Sequence, residues 1–346
     1  MRKLFTFLII ISLLIVPVFA SELTAPTVPD SAKAFMPSDP NTLEEGIIEI
    51  LRQALMIIRP DLKEAYAVCL AISAAVMILC VIQPFPGMAQ RVSDFVGAVI
   101  VATILLESVN SMIHLGSHTV NEISEYGKLL LPVITAAVAA QGGITVSAAL
   151  YSATALFDAV LSSIISKLLI PMVYFFLVLA VACAAMEDET IKKLRNILKS
   201  SVTWILKTLL YIFTGYISIT GVISGTTDAA ALKAAKLTIS GVVPVVGGIL
   251  SDASEAVLIG AGTIKNTVGL YGMYAVIAIW IGPFVKIGTH YLLLKLTGGI
   301  CSIFGSKRIT DMIQDFSTAM GLLLAMTGTV CLMLMISMIC FMKGVG

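Results

Sequence analysis

Along most of this chain apolar residues come in runs rather than in a strand-like alternation, and the runs are long enough to cross a bilayer. A helix needs about 20 apolar residues to span the roughly 30 Å hydrocarbon core. The first such run covers 65–82 and the second 95–113. Residues 129–186 are almost unbroken, with Asp158 and Lys167 as their only charges. That stretch is too long for two ordinary spans. The Gly142-Gly143 pair and Pro171 punctuate it, and it divides into 129–149, 150–168 and 169–186. Further runs are 202–223, 269–287 and 320–342. A shorter run at 292–304 holds Lys295, Gly298 and Gly299 and is expected to be re-entrant. The pattern predicts an all-α, polytopic integral membrane helix bundle of about eight spans, occupying 65–346, with amphipathic and broken or re-entrant helices beside the spans.

The amino end has a different pattern. Arg2 and Lys3 precede an apolar run from Leu4 to Val16, Pro17 ends it, and Val18-Phe19-Ala20 suits cleavage before Ser21. Residues 1–20 therefore have the form of a signal peptide, with an uncleaved anchor as the alternative. Residues 21–64 form an extracytoplasmic leader. Its first part, 21–41, is rich in Pro, Ser, Thr and Ala and is expected to be flexible. Thr42 and Glu45 have capping-box spacing. Ile47, Ile48, Ile50, Leu51, Leu55, Ile57 and Ile58 then make an amphipathic helix that ends near Pro60.

Composition agrees with lipid as the solvent. Of the 346 residues, 58% are hydrophobic and 12% charged, against about 45–50% and about 25% in soluble domains. A net charge of +1 gives no basic bias toward nucleic acid. Cationic clusters set the orientation. Lys192, Lys193, Arg195 and Lys199 lie between two spans, and Lys307 and Arg308 precede the last one. With the leader outside, an odd number of crossings must come before residue 187. Five crossings satisfy this and four do not. Ile191, Leu194, Ile197 and Leu198 line one side of the basic loop, and Ile309, Met312, Ile313 and Phe316 do the same after Lys307. Each is either a lipid-surface helix or a solvated linker.

Candidate chemistry is sparse. Glu107 interrupts the second span and Asp158 the fourth, and a carboxylate at membrane depth is costly and a functional candidate by default. Lys207, Lys286 and Lys295 can snorkel. His114 and His118 share a helical face, but without H-E-x-x-H the reading is an ordinary surface loop, 114–128, between two spans. No Gly-x-Ser-x-Gly elbow, Walker A loop or Gly-rich dinucleotide fingerprint is present. The six cysteines form no C-x-x-C pair and read as buried thiols. No cofactor or metal is expected.

The most informative segment is 226–269, semi-polar and rich in small residues. Pro244 and Gly247-Gly248 divide it into two helical pieces near 228–240 and 250–265. A broken helix at membrane depth must be buried in protein or face a water-filled cavity, which suits a pore or docking surface; an outer lid-like loop is the alternative. Here the chain resembles the stage III sporulation protein AE family. The resemblance is carried by Ala235-Lys236-Leu237, Pro244-Val245-Val246-Gly247, Ser251-Asp252-Ala253 and Ile264-Lys265-Asn266-Thr267-Val268-Gly269. Weaker similarity extends from about residue 45 to the end, and Leu237, Gly241 and Val243 depart from the family's usual choices.

The resemblance implies a non-enzymatic subunit of a transenvelope, secretion-like channel linking mother cell and forespore, sited in the mother-cell membrane and needed for late forespore gene expression. Its implied partners are the other stage III proteins of the same operon and a forespore-membrane protein, in an oligomeric complex. Lys236, Pro244, Gly247, Asp252, Lys265 and Asn266 become candidate functional residues on this basis, beside Glu107 and Asp158. The alternative is a stand-alone secondary transporter that couples to an ion through Glu107 or Asp158.

Overall fold

The computed structural model describes residues 26–38, 43–57, 59–82, 88–140, 144–186, 188–219, 267–304 and 307–343. Among them every regular element is helical. In chain order these are α1 (Asp30–Lys33), α2 (Leu43–Ile57), α3 (Arg59–Ile82), α4 (Met88–Ala140), α5 (Ile144–Ile164), α6 (Ile170–Ala185), α7 (Glu189–Ile219), α8 (Thr267–Phe304) and α9 (Lys307–Lys343). A π-turn, Ile165–Leu169, joins α5 to α6. The signal segment 1–20 and most of 226–269 lie outside the described residues.

Six helical stretches are long and apolar enough to cross a membrane: Leu62–Val81, Phe95–Ala137, Leu150–Ala185, Glu189–Tyr216, Gly269–Ile303 and Lys307–Met342. The eight expected runs become six because neighbours fuse. The stretch 114–128 is not a loop. Its polar residues His114, His118, Asn121, Glu125 and Lys128 fall on one exposed stripe, while Val120, Ile123, Tyr126 and Leu130 continue the buried face of α4. Spacings of three and four keep both faces in phase with the helix, so the chain stays helical through it. The expected break at 168/169 is absent for another reason. Pro171 stands at the start of α6, where its missing N–H and its clash with the carbonyl four residues back would stop an α-helix. The π-turn before it widens the backbone ladder at that carbonyl. The run 292–304 is the end of α8 and not a separate re-entrant piece. Three candidate spans precede residue 187, again an odd number.

The leader also differs from expectation. Residues 26–38 are packed, with Val28, Ala32 and Phe35 buried and Phe35 against the backbone of Gly282. Ser31 Oγ donates to Glu122 Oε1 at 2.7 Å, joining this segment to α4. The amphipathic helix is present as α2. It buries Leu43, Gly46, Ile50 and Ala54 against α8 and carries Glu44 and Glu45 in its first turn, where the helix dipole favours them. Gly46 sits on the ring of Tyr274, and a β-carbon there would overlap it.

The centre of the bundle is α9. It packs against α4, α5, α6, α7 and α8; every residue of 319–341 but Leu332 is buried, while Lys307, Asp311 and Gln314 at its start are exposed. That later part is apolar nearly all round, the signature of a helix with no solvent face. Thr329 Oγ1 donates to the Ala325 carbonyl at 2.7 Å and Ser337 Oγ to that of Met333 at 2.9 Å. Ser317 Oγ donates across to the Tyr291 carbonyl of α8 at 3.0 Å, and the buried Thr310 hydroxyl has no partner among the described residues. Gly127 of α4 faces Leu334, and Gly272 of α8 faces Leu130 and Met338, so absent side chains let the helices approach closely.

The bundle is taller than a bilayer. The 53 residues of α4 make a rod of about 80 Å, against about 30 Å of hydrocarbon. Exposed large apolar side chains form a belt on one half, with Leu70, Met77 and Val81 of α3, Phe95, Val99 and Leu106 of α4, Phe175 and Val178 of α6, Leu296 and Ile303 of α8, and others, among them Leu129 of α4 and Leu156 of α5, lie outside it. Gly97 lies against Leu79 and Ile309, so the end of α3 and the starts of α4 and α9 share one level. The charged stripe of α4 lies beyond this belt, beside the leader. The belt has the composition of a surface suited to lipid.

Candidate functional site: two separate carboxylates and an interhelical clamp

Asp158 points into the bundle from α5 and is 2% exposed. Ser124 of α4 donates its hydroxyl to Asp158 Oδ2 at 2.7 Å. Oδ1 has no partner among the described residues, and neither has the hydroxyl of Thr154, one turn earlier on the same helix. The site is thus a small polar pocket within an apolar interface, held by one short hydrogen bond. Small neighbours such as Ala153 and Ala155 let α4 and α5 approach closely enough for it to form.

Glu107 has a different setting. It is exposed on α4 and lies on the wall of a groove of about 700 Å³ between α4 and α6. Most of the lining is apolar. Its other polar pair, Asn110 and Tyr174, is closed on itself: Tyr174 Oη donates to Asn110 Oδ1 at 2.7 Å. Glu107 is 17 positions from Ser124, the residue that holds Asp158, which is about 25 Å along α4. The structure therefore does not bring the two carboxylates together. The signature residues Lys236, Pro244, Gly247, Asp252, Lys265 and Asn266 lie outside the described residues; Thr267 to Gly269, which follow them, open α8.

At the cytoplasmic end is a group that the sequence reading missed. Arg195 Nη1 donates to Asp315 Oδ2 at 2.5 Å, and both side chains are about 15% exposed. The pair joins α7 to α9. The basic segment 191–198 is the first part of α7 and is tied to the central helix through Arg195, while Leu194 and Ile197 of its apolar side remain exposed. Asp188 starts α7: the Thr190 N–H donates to its Oδ1 at 2.7 Å, and this bond holds the Asp188 carboxyl below the usual carboxylate range. The only hint of the clamp in the sequence is a carboxylate, Asp315, one residue before the buried Phe316 on an otherwise apolar face.

Other polar contacts organise the helix interfaces. His290 Nδ1 lies 3.2 Å from Ser108 Oγ, linking α8 to α4. His118 Nδ1 lies 3.4 Å from Glu122 Oε2 on the same helix, so this histidine belongs to the stripe that meets the leader. Among the described residues no cluster has metal-ligand composition. None of the six cysteines is in a disulfide; five are buried and Cys80 is half-buried.

Asp158, His290 and the Arg195–Asp315 pair thus lie at helix interfaces, and Glu107 on the wall of a groove. The profile of the family described as Stage III sporulation protein AE (spore_III_AE) matches residues 45–345. The chain belongs to this family. A curated relative from Bacillus subtilis (strain 168), the stage III sporulation protein AE of that organism, is 26% identical over 250 residues; the alignment covers 72% of this chain and 62% of the relative. The chain thus spans less than two thirds of that relative's length. No solved structure matches. Membership implies a role in sporulation, and the six long apolar helices make the protein a multi-pass membrane protein.

Proposed function

We propose that this protein is a non-enzymatic membrane subunit of a channel-like, secretion-type complex between mother cell and forespore, required for late forespore gene expression. It sits in the mother-cell membrane and works with the other stage III sporulation proteins and a forespore-membrane partner. The observation that carries this reading is the family match over 45–345, and the buried α9 supports it. An apolar helix fills the middle of the bundle, so a conduit would be built between subunits and not through one copy. A platform that assembles with partners also has use for a surface taller than the bilayer.

Purified protein in liposomes is expected to move no solute. Proton-coupled uptake by the protein alone would overturn the reading in favour of a secondary transporter. The buried Asp158, with one oxygen unpartnered among the described residues, favours that second reading more than Glu107 does.

The signature segment supplies a separate test in cells. Charge reversal at Lys236 or Asp252 is expected to abolish spore formation while the protein still reaches the membrane at parental amounts. Normal spore yield from both variants would remove this segment from the function.

A further inference from the structure

The groove beside Glu107 has the dimensions of a transmembrane helix. It runs along α4 from Phe95 to Ile113, 18 positions or about 27 Å, close to the roughly 30 Å of hydrocarbon that a spanning helix must cross. Its rims are large and exposed: Phe95 is 52% exposed, Leu106 50% and Val178 62%. At the cytoplasmic end its floor drops to Ala182 and Ala185, and small residues of this kind let another helix backbone approach closely. The groove lies within the lipid-facing belt, so its occupant comes from the membrane.

One feature of the wall is useless to lipid chains. Glu107 has no hydrogen-bond or ion-pair partner among the described residues, whereas Asn110 and Tyr174 satisfy each other. A carboxylate at this depth is expensive unless it is paired. Acyl chains offer it nothing. A second copy of this chain docked symmetrically would bring Glu107 against Glu107, two like charges in a poor dielectric. A basic side chain at the matching depth would neutralise it.

We propose that the α4–α6 groove is the docking site for a single transmembrane helix of another protein that carries a lysine or arginine in the outer half of its span, paired with Glu107. This rests on the reading of the chain as a subunit of an assembly, and it assigns one surface of that assembly. The basic residue would face Glu107 across the groove while the apolar face of the incoming helix fills the channel between the Phe95 and Val178 rims.

The test uses the full-length protein in phosphatidylcholine vesicles with a synthetic transmembrane peptide of leucine and alanine, about 20 residues long, bearing one lysine in its outer half. The control peptide has leucine at that position. Association is read by energy transfer from a donor on the protein to an acceptor on the peptide. The lysine peptide is expected to associate about tenfold more tightly than the leucine peptide, from the 1–2 kcal/mol of a polar contact between helices in lipid. E107Q should erase most of that difference, and V178W, which fills the groove, should weaken both peptides. Reversing the pair, E107K with a glutamate peptide, should restore the preference. Equal association of the two peptides, an unchanged preference in E107Q, or groove quenching by brominated acyl chains that persists at saturating peptide would each overturn the proposal; the last would make lipid the occupant. None of these results depends on solute movement, so failure here is separable from failure of the channel-subunit reading.

Discussion

Asp315→Ala should unfold far more easily than the parent protein, with a loss of about 3 kcal/mol or more. The carboxylate and the Arg195 guanidinium are each about 15% exposed and meet at 2.5 Å. Removing one partner leaves the other charge buried with nothing to neutralise it, which costs about 3–5 kcal/mol in pairs of this kind. The Arg195 Nε already lacks a partner among the described residues, so the arginine has little in reserve. Replacing both together, Arg195→Met with Asp315→Leu, should recover most of the loss, because the apolar pair keeps the volume without the buried charge. Thermal unfolding in detergent of the two single variants and the double variant forms the needed cycle. If Asp315→Ala and Arg195→Ala melt with the parent, the clamp contributes nothing and α7 is held to α9 by its apolar residues alone.

The second large effect is expected at Asp158, and its sign depends on the substitution. Asp158→Ala removes the acceptor of the Ser124 hydroxyl, itself buried. An unsatisfied buried hydroxyl costs about 1–3 kcal/mol, and the space left by the carboxyl adds to it. Asp158→Asn keeps both the volume and an oxygen facing Ser124, so parental stability is expected. If Asp158 is a structural contact, spore yield follows stability: the asparagine protein sporulates and the alanine protein is impaired. A stable asparagine protein that fails to sporulate would refute the structural role and assign Asp158 to proton or ion movement. Unfolding curves measured beside spore counts separate the outcomes.

The two sites were legible in the sequence to different degrees. Asp158 stood out because a carboxylate within an apolar run is conspicuous, but its partner could not be read: Ser124 is 34 positions away, in a stretch that looked like a loop. The Arg195–Asp315 pair spans 120 positions, and both members sit in segments whose amphipathic pattern suits a lipid surface equally well. Only α7 packing on α9 makes them neighbours. Glu107 was legible as an anomaly, whereas the groove around it was not, because a groove is a property of two helices and α6 supplies half of the wall.

The span count shows the same division. Charged residues at 114–128 suggested an interruption, yet their spacings of three and four were already those of one helical face, so the continuity of α4 was present in the sequence as periodicity. The fusion at Pro171 was not, because a π-turn forms only where the surrounding packing tolerates the wider backbone. The packed leader at 26–38 was likewise invisible: Val28, Ala32 and Phe35 are too few to form a pattern and become core only because α8 offers Gly282 beneath Phe35.

By itself, then, the sequence determined the solvent, the helical class and the family, because these depend on composition, local periodicity and residue order along one chain. The tertiary structure decided which apolar helix faces lipid and which is the centre. Residues 320–342 have the composition of an ordinary span, and a helix apolar on every side satisfies its backbone equally well in lipid or in protein. What placed α9 in the middle was the shape of its neighbours: glycines at 127 and 272 that let helices close in, and a buried ion pair that fixes its cytoplasmic end.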